Sequence, residues 1–141
     1  MFEIKENFLD QETFNTIKKE IESIPLFYCS YTAGTSDFSN FFFYHLLYAD
    51  GKVQSDQYFN SLLLPILGKI DFKYLHRAKL NFYTKQEKQI KTQYHRDDKI
   101  PHTVYLFSLN TNNGYTEFKN GKKIKSKENT MAIFSGDLEH R

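Results

Sequence analysis

A chain of 141 residues, 40% of them apolar, has the length and hydrophobic content of one ordinary domain with one core, so a single domain spanning 1–141 is expected. Nineteen Lys and Arg against 17 Asp and Glu leave a net charge of +2, too balanced for bulk attraction to a polyanion. No apolar run approaches the roughly 20 residues that span a bilayer, the start MFEIKENFLD lacks the basic-then-apolar pattern of a signal peptide, and the single cysteine excludes an intramolecular disulfide, so a cytoplasmic protein is expected.

Asp10 is placed to cap a helix from Gln11 to about Glu22, in which Phe14, Ile17, Ile21 and Ile24 form one apolar stripe; Pro25 ends it. From Leu26 to Phe43 aromatics mix with Thr, Gly, Ser and Asn (Tyr31, Gly34, Ser36, Ser39, Asn40), which predicts a loop and then a short strand at Asn40 to Tyr44. Cys29 has no basic partner at a recognisable spacing and reads as a small half-buried residue rather than a nucleophile. Asp50-Gly51 marks a turn, and Ser55-Asp56 opens a second helix with Phe59, Leu62, Leu63, Ile66 and Leu67 at helical spacing. Pro65 predicts a kink and Gly68 a terminator. Both helices read as scaffold for one face of a sheet.

From Tyr74 the period changes to two, with Arg77, Lys79, Asn81 and Tyr83 on one face and Ala78, Leu80 and Phe82 on the other. Lys85 to Thr92 is a polar connection, either a solvated loop or a lid over the residues that follow. His102 to Leu109 is apolar on both faces in its centre (Val104, Tyr105, Leu106, Phe107), as a strand buried on both sides would be, Asn110 to Gly114 turns, and Tyr115 to Phe118 is joined through Asn120-Gly121 to a return strand at Ile124 to Ser126. Met131 to Phe134 predicts another buried strand, and Ser135-Gly136-Asp137 turns the chain into Leu138-Glu139-His140. The 14 Phe and 10 Tyr suit layered β packing, and short strands at close intervals indicate a mainly β sandwich or barrel with flanking helices.

The stretch Gln93-Tyr94-His95-Arg96-Asp97-Asp98 carries the chemistry. On a strand, His95 and Asp97 share a face because side chains alternate. With His140 as a third donor, two imidazoles and one carboxylate make the set that suits non-haem Fe(II) and O₂; the same donors also suit Zn²⁺, and a polar surface strand reads the same way. His45, His76 and His102 read as ordinary histidines, His102 with the further option of a polar neighbour to the site.

Asn81-Phe82-Tyr83, His95-x-Asp97, the hairpin-rich segment after it, and Phe134-x5-His140 within Met-Ala-Ile-Phe-Ser-Gly-Asp-Leu-Glu-His-Arg together resemble the Fe(II)/2-oxoglutarate-dependent dioxygenases, in particular the prolyl-hydroxylase-like and small phage-type members. The resemblance covers Tyr74 to Arg141 and implies a double-stranded β-helix, a jelly-roll or cupin-like barrel, with helical support in 1–70 and the metal-bearing barrel in 74–141. It implies Fe(II) held by His95, Asp97 and His140, with no catalytic residue beyond these ligands. It further implies 2-oxoglutarate held by Asn81 and Tyr83, with Arg77 or Lys79 as an added cation, O₂ as oxidant, and ascorbate as a candidate accessory.

The implied reaction is hydroxylation of a C–H bond in a peptidyl, prolyl-like or small-molecule substrate, with no membrane partner and the oligomeric state open. The basic hairpin Lys119 to Lys127 carries five lysines, but on one hairpin of a chain with net +2 they read as an edge kept soluble, not as a groove for a nucleobase. Family members place a basic residue on a last strand beyond the distal His, against the far carboxylate of 2-oxoglutarate. Arg141 adjoins His140 and on a strand points the opposite way. Three readings stay open: a form lacking that last strand, a cosubstrate held otherwise, or a non-catalytic jelly-roll module binding a metal or ligand.

Overall fold

The computed structural model describes residues 1–32 and 40–141; Gly34, Ser36 and Ser39 of the expected loop lie outside the described residues. The fold is mainly β, with antiparallel sheets and few helices. The chain splits into two compact units that do not follow chain order. One contains Met1–Phe8, Tyr31, Thr32, Asn40 and Gln86–Arg141; the other contains Leu9–Ser30 and Phe41–Lys85. Among the described residues no helix is long and apolar enough to cross a membrane.

In the first unit β1 (Phe2–Glu6), β6 (Thr103–Ser108) and β9 (Thr130–Ser135) form a sheet in the order β1-β9-β6. The central strand β9 is the apolar run Met-Ala-Ile-Phe, and burial on both faces is the reason it does not alternate: Met131, Ala132, Ile133 and Phe134 are all buried. Register places Phe2 and Val104 on either side of Phe134, so these three share a face. That face packs with Ala132, Phe118, Ile124 and Leu138 into one apolar cluster. Phe118 and Ile124 come from the hairpin of β7 (Tyr115–Glu117) and β8 (Lys123–Lys125). Its turn needs Gly121, whose φ is +86°, while the Asn120 carboxamide oxygen accepts the Lys122 N–H at 3.0 Å.

In the second unit α1 (Gln11–Ile21) starts where the Asp10 carboxylate accepts the Thr13 N–H at 2.9 Å and its hydroxyl at 2.8 Å. These bonds hold the Asp10 pKa below its ordinary value. Phe14, Ile17 and Ile24 of the expected stripe are buried. The sheet is built on β3 (Phe42–Ala49), which pairs with β2 (Phe27–Cys29), β4 (Lys52–Val53) and β5 (Ala78–Phe82), all antiparallel. The strand expected at Asn40 to Tyr44 thus begins later and runs on to Ala49, because β5 pairs with it as far as Tyr48.

The expected second helix is three short pieces: α2 (Asp56–Tyr58), a π-helical turn Phe59–Leu63, and α3 (Leu64–Leu67). The Leu64 N–H reaches back five residues to the Phe59 carbonyl. Pro65, next in line, has no N–H with which to restore the four-residue ladder. The first seventy residues, expected as helical support, carry four strands as well among the described residues, and β1 among them belongs to the sheet of residues 103–135. β1 escapes sequence reading because only Phe2 is turned inward, leaving a pattern of exposed residues with no alternation.

Phe118, 2% exposed, touches the rings of Phe2 at 5.6 Å and Phe134 at 5.0 Å. Replacing it by Ala is expected to cost about 3–5 kcal/mol, whereas Ile4→Ala, at a position 46% exposed, should stay within roughly 0.5 kcal/mol of the parent. Urea unfolding of both variants checks this.

Candidate metal centre

Residues 139–141 form a short extended segment that is paired on both edges. His140 and His95 exchange two backbone hydrogen bonds, His95 N–H to His140 O at 2.9 Å and His140 N–H to His95 O at 3.0 Å. On the other edge Glu117 and Arg141 exchange two more, both 2.9 Å, and the Lys119 N–H donates to the Glu139 carbonyl at 3.0 Å. Residues directly opposite across antiparallel backbones project to the same face. Phe118, His140 and His95 therefore form one row pointing inward, and Asp97, two residues beyond His95, joins them.

His95 sits on a single bridge rather than in a regular strand, and the chain bends at Asp97. That bend turns the carboxylate between the two imidazoles: Asp97 Oδ1 lies 3.8 Å from His95 Nε2 and Asp97 Oδ2 lies 3.7 Å from His140 Nε2. One donor atom from each residue falls within 4.8 Å of the others. Two donors each about 2.1 Å from one ion stand roughly 3–3.6 Å apart, so the two histidine–carboxylate separations need contract by only a few tenths of an ångström, while the remaining pair, within 4.8 Å, closes by up to about 1–2 Å around a metal.

Tautomers are set as well. His95 Nδ1 faces the Gln93 carbonyl at 3.2 Å and His140 Nδ1 faces the Leu138 carbonyl at 2.9 Å. A carbonyl only accepts, so each Nδ1 carries a proton, and in the neutral ring each Nε2 presents its lone pair to the shared space. His140 is held deepest, with the Phe134 ring 5.4 Å and the Phe118 ring 6.0 Å away. The side chains of His95 and Asp97 remain 27% and 30% exposed, which leaves the centre open to a ligand.

The outward face of the same backbone is charged. Arg141 indeed turns away from His140 and grips Glu117 Oε2 through Nε at 2.9 Å and Nη2 at 2.7 Å, with its guanidinium 4.3 Å over the Tyr94 ring. Lys123 and Lys91 approach the same carboxylate at 3.2 and 3.6 Å. Arg141 above all, then Lys123, lowers the Glu117 pKa to about 2. Glu139 is likewise held below its ordinary range by Lys119, 2.9 Å away.

The structure brings His95, Asp97 and His140 together in the first unit. Arg77, Lys79, Asn81 and Tyr83 belong to the second unit, on or beside β5. Lys79 and Asn81 stand opposite Leu46 and Tyr44 and share the exposed face, while Tyr83 stacks on Phe42 at 5.5 Å and Lys79 Nζ lies 5.6 Å over that ring. His45 is a buried packing residue, its Nδ1 donating to the Pro25 carbonyl at 2.6 Å.

His102 likewise packs: its ring lies where a Cβ on residue 136 would sit, 2.2 Å from Cε1. A side chain at residue 136 would therefore displace the imidazole above it, and the backbone there is not left-handed. Sequence reading overlooked Glu117 and Tyr94; their signal was the period of two, which puts each on the face opposite its neighbour, Phe118 or His95. None of the family models, curated proteins or solved structures compared with this chain matches it.

A carboxylate with a depressed pKa contributes stability above its ordinary value of 4.5 and loses it as pH falls through about 2. Glu117→Gln should therefore be less stable than the parent at pH 7, with the gap closing as pH falls below 4.5 toward about 2. Denaturant unfolding of both proteins across that window measures it.

Proposed function

We propose that this chain binds Fe(II) through His95, Asp97 and His140 and acts as a 2-oxoglutarate-dependent dioxygenase that hydroxylates a C–H bond of a peptidyl, prolyl-like or small-molecule substrate. The observation that carries the reading is the convergence of two Nε2 lone pairs and one carboxylate within 4.8 Å. Two imidazoles and one carboxylate leave ligand positions free for a bidentate keto acid and for O₂. Bound there, Fe(II) supplies the oxidation in which 2-oxoglutarate and O₂ become succinate and CO₂ as a C–H bond becomes C–OH.

The chain's own residues hold and shape this centre. Asp97 provides the anionic ligand, the Gln93 and Leu138 carbonyls hold each Nδ1–H and so orient each Nε2 toward the shared space, and the Phe118 and Phe134 rings exclude water behind His140. Asp97 also borders an open groove of about 750 Å³ lined by Arg96, Asp98, Lys99 and Glu139. The double-stranded β-helix belongs to the same proposal; the apolar cluster shared by β9 and the β7–β8 hairpin supports it.

The preference for a peptide or small molecule over nucleic acid is supported by the hairpin lysines. Lys119 pairs with Glu139, Lys122 lies over the Phe2 ring, Lys123 pairs with Glu117 and Lys127 with Glu6. A second reading, a non-catalytic metal-binding module, is favoured by one observation: Arg141 is committed to Glu117.

Anaerobic Mn(II) titration should show one site per chain, weakened by orders of magnitude in Asp97→Ala. With Fe(II), O₂ and 2-oxoglutarate the parent should form succinate. Metal binding without succinate would establish the module instead, and metal affinity unchanged in Asp97→Ala would refute both readings.

A further inference from the structure

We propose that Arg141 is a positioning residue for the metal centre, a clamp on the outward face that sets where His140 stands relative to His95. The inference rests on the metal reading above. The three backbones that meet at the centre are very short: one bridge at His95, residues 139–141, and the end of β7. Backbone hydrogen bonds alone hold such pieces weakly, and a slip of one residue would turn His140 outward and Arg141 inward.

Across the sheet from the inward row of His95, His140 and Phe118 lies an outward row of Tyr94, Arg141 and Glu117. Each member is the chain neighbour of its inward counterpart. One guanidinium spans all three backbones, stacked at 4.3 Å on Tyr94 and forked onto Glu117 at 2.9 and 2.7 Å. The fork requires a planar guanidinium with two donors, and the stack requires its flat face, so a lysine satisfies neither fully. Lys123 also contacts Glu117 but comes from β8, on the far side, and does not reach the segment bearing His140. It therefore serves as the control for merely losing a cation beside Glu117.

The test uses the full chain as parent, Arg141→Gln, Arg141→Lys, Tyr94→Leu and Lys123→Gln, read by Mn(II) titration, thermal unfolding of the metal-free protein, and hydrogen exchange at the His95 and His140 amides. Outer groups that orient ligands change metal affinity by roughly 10- to 100-fold. Arg141→Gln should lose affinity in that range and exchange both amides at least about tenfold faster, Arg141→Lys should recover part of each, and Lys123→Gln should match the parent in both while lowering the melting temperature comparably. Tyr94→Leu, which keeps the ion pair, should fall between them and stands in should Arg141→Gln not fold.

Unchanged affinity and exchange in Arg141→Gln, or equal losses in Lys123→Gln, would overturn the clamp. If the parent binds no Mn(II), the metal reading fails while the exchange comparison still decides whether Arg141 sets this register.

Discussion

The pair of backbone hydrogen bonds between His95 and His140, 2.9 and 3.0 Å, is the constraint on which the candidate site depends. Directly opposed residues in such a pair have their Cα atoms about 5.5 Å apart and project to one side. That one fact converts two distant histidines into neighbours with their rings 4.8 Å apart. Asp97 needs no further long-range contact, because it follows His95 by two residues and the bend there delivers its carboxylate between the imidazoles.

Two kinds of interaction guard that register from opposite faces. Inward, Phe118, Phe134 and Leu138 tie the hairpin and the His140 segment to β9 through apolar burial, which is indifferent to direction but intolerant of a voided core. Outward, ion pairs join Lys119 to Glu139 and Arg141 to Glu117, and these are directional but weaker where solvent reaches them. Burial supplies cohesion and charge supplies alignment. Short segments with few regular hydrogen bonds belong to the less stable part of a fold.

The lysine-rich hairpin illustrates how tertiary partners change the meaning of composition. As sequence it is a basic patch; folded, Lys119, Lys122, Lys123 and Lys127 each engage a carboxylate or a ring of the same chain. Gly136 carries the same lesson. A Ser-Gly-Asp string reads as a turn, yet what the glycine does here is leave room for the His102 ring, which occupies the space of a side chain.

What the sequence by itself determined were features whose physics is local. Asp10 and the spacing of Phe14 and Ile17 specify α1, alternation specifies the two faces of β5, the unbroken apolar run of β9 specifies burial on both faces, and His95-x-Asp97 shares a face wherever the backbone is extended. Only the tertiary structure decided that β1 joins β9, that β3 runs to Ala49, that the helix after Ser55 passes through a π turn, and that Arg141 pairs with Glu117. The pieces carrying His95 and His140 are too short to specify their own pairing. Their register is fixed by contacts between residues far apart in the chain, which no local period records.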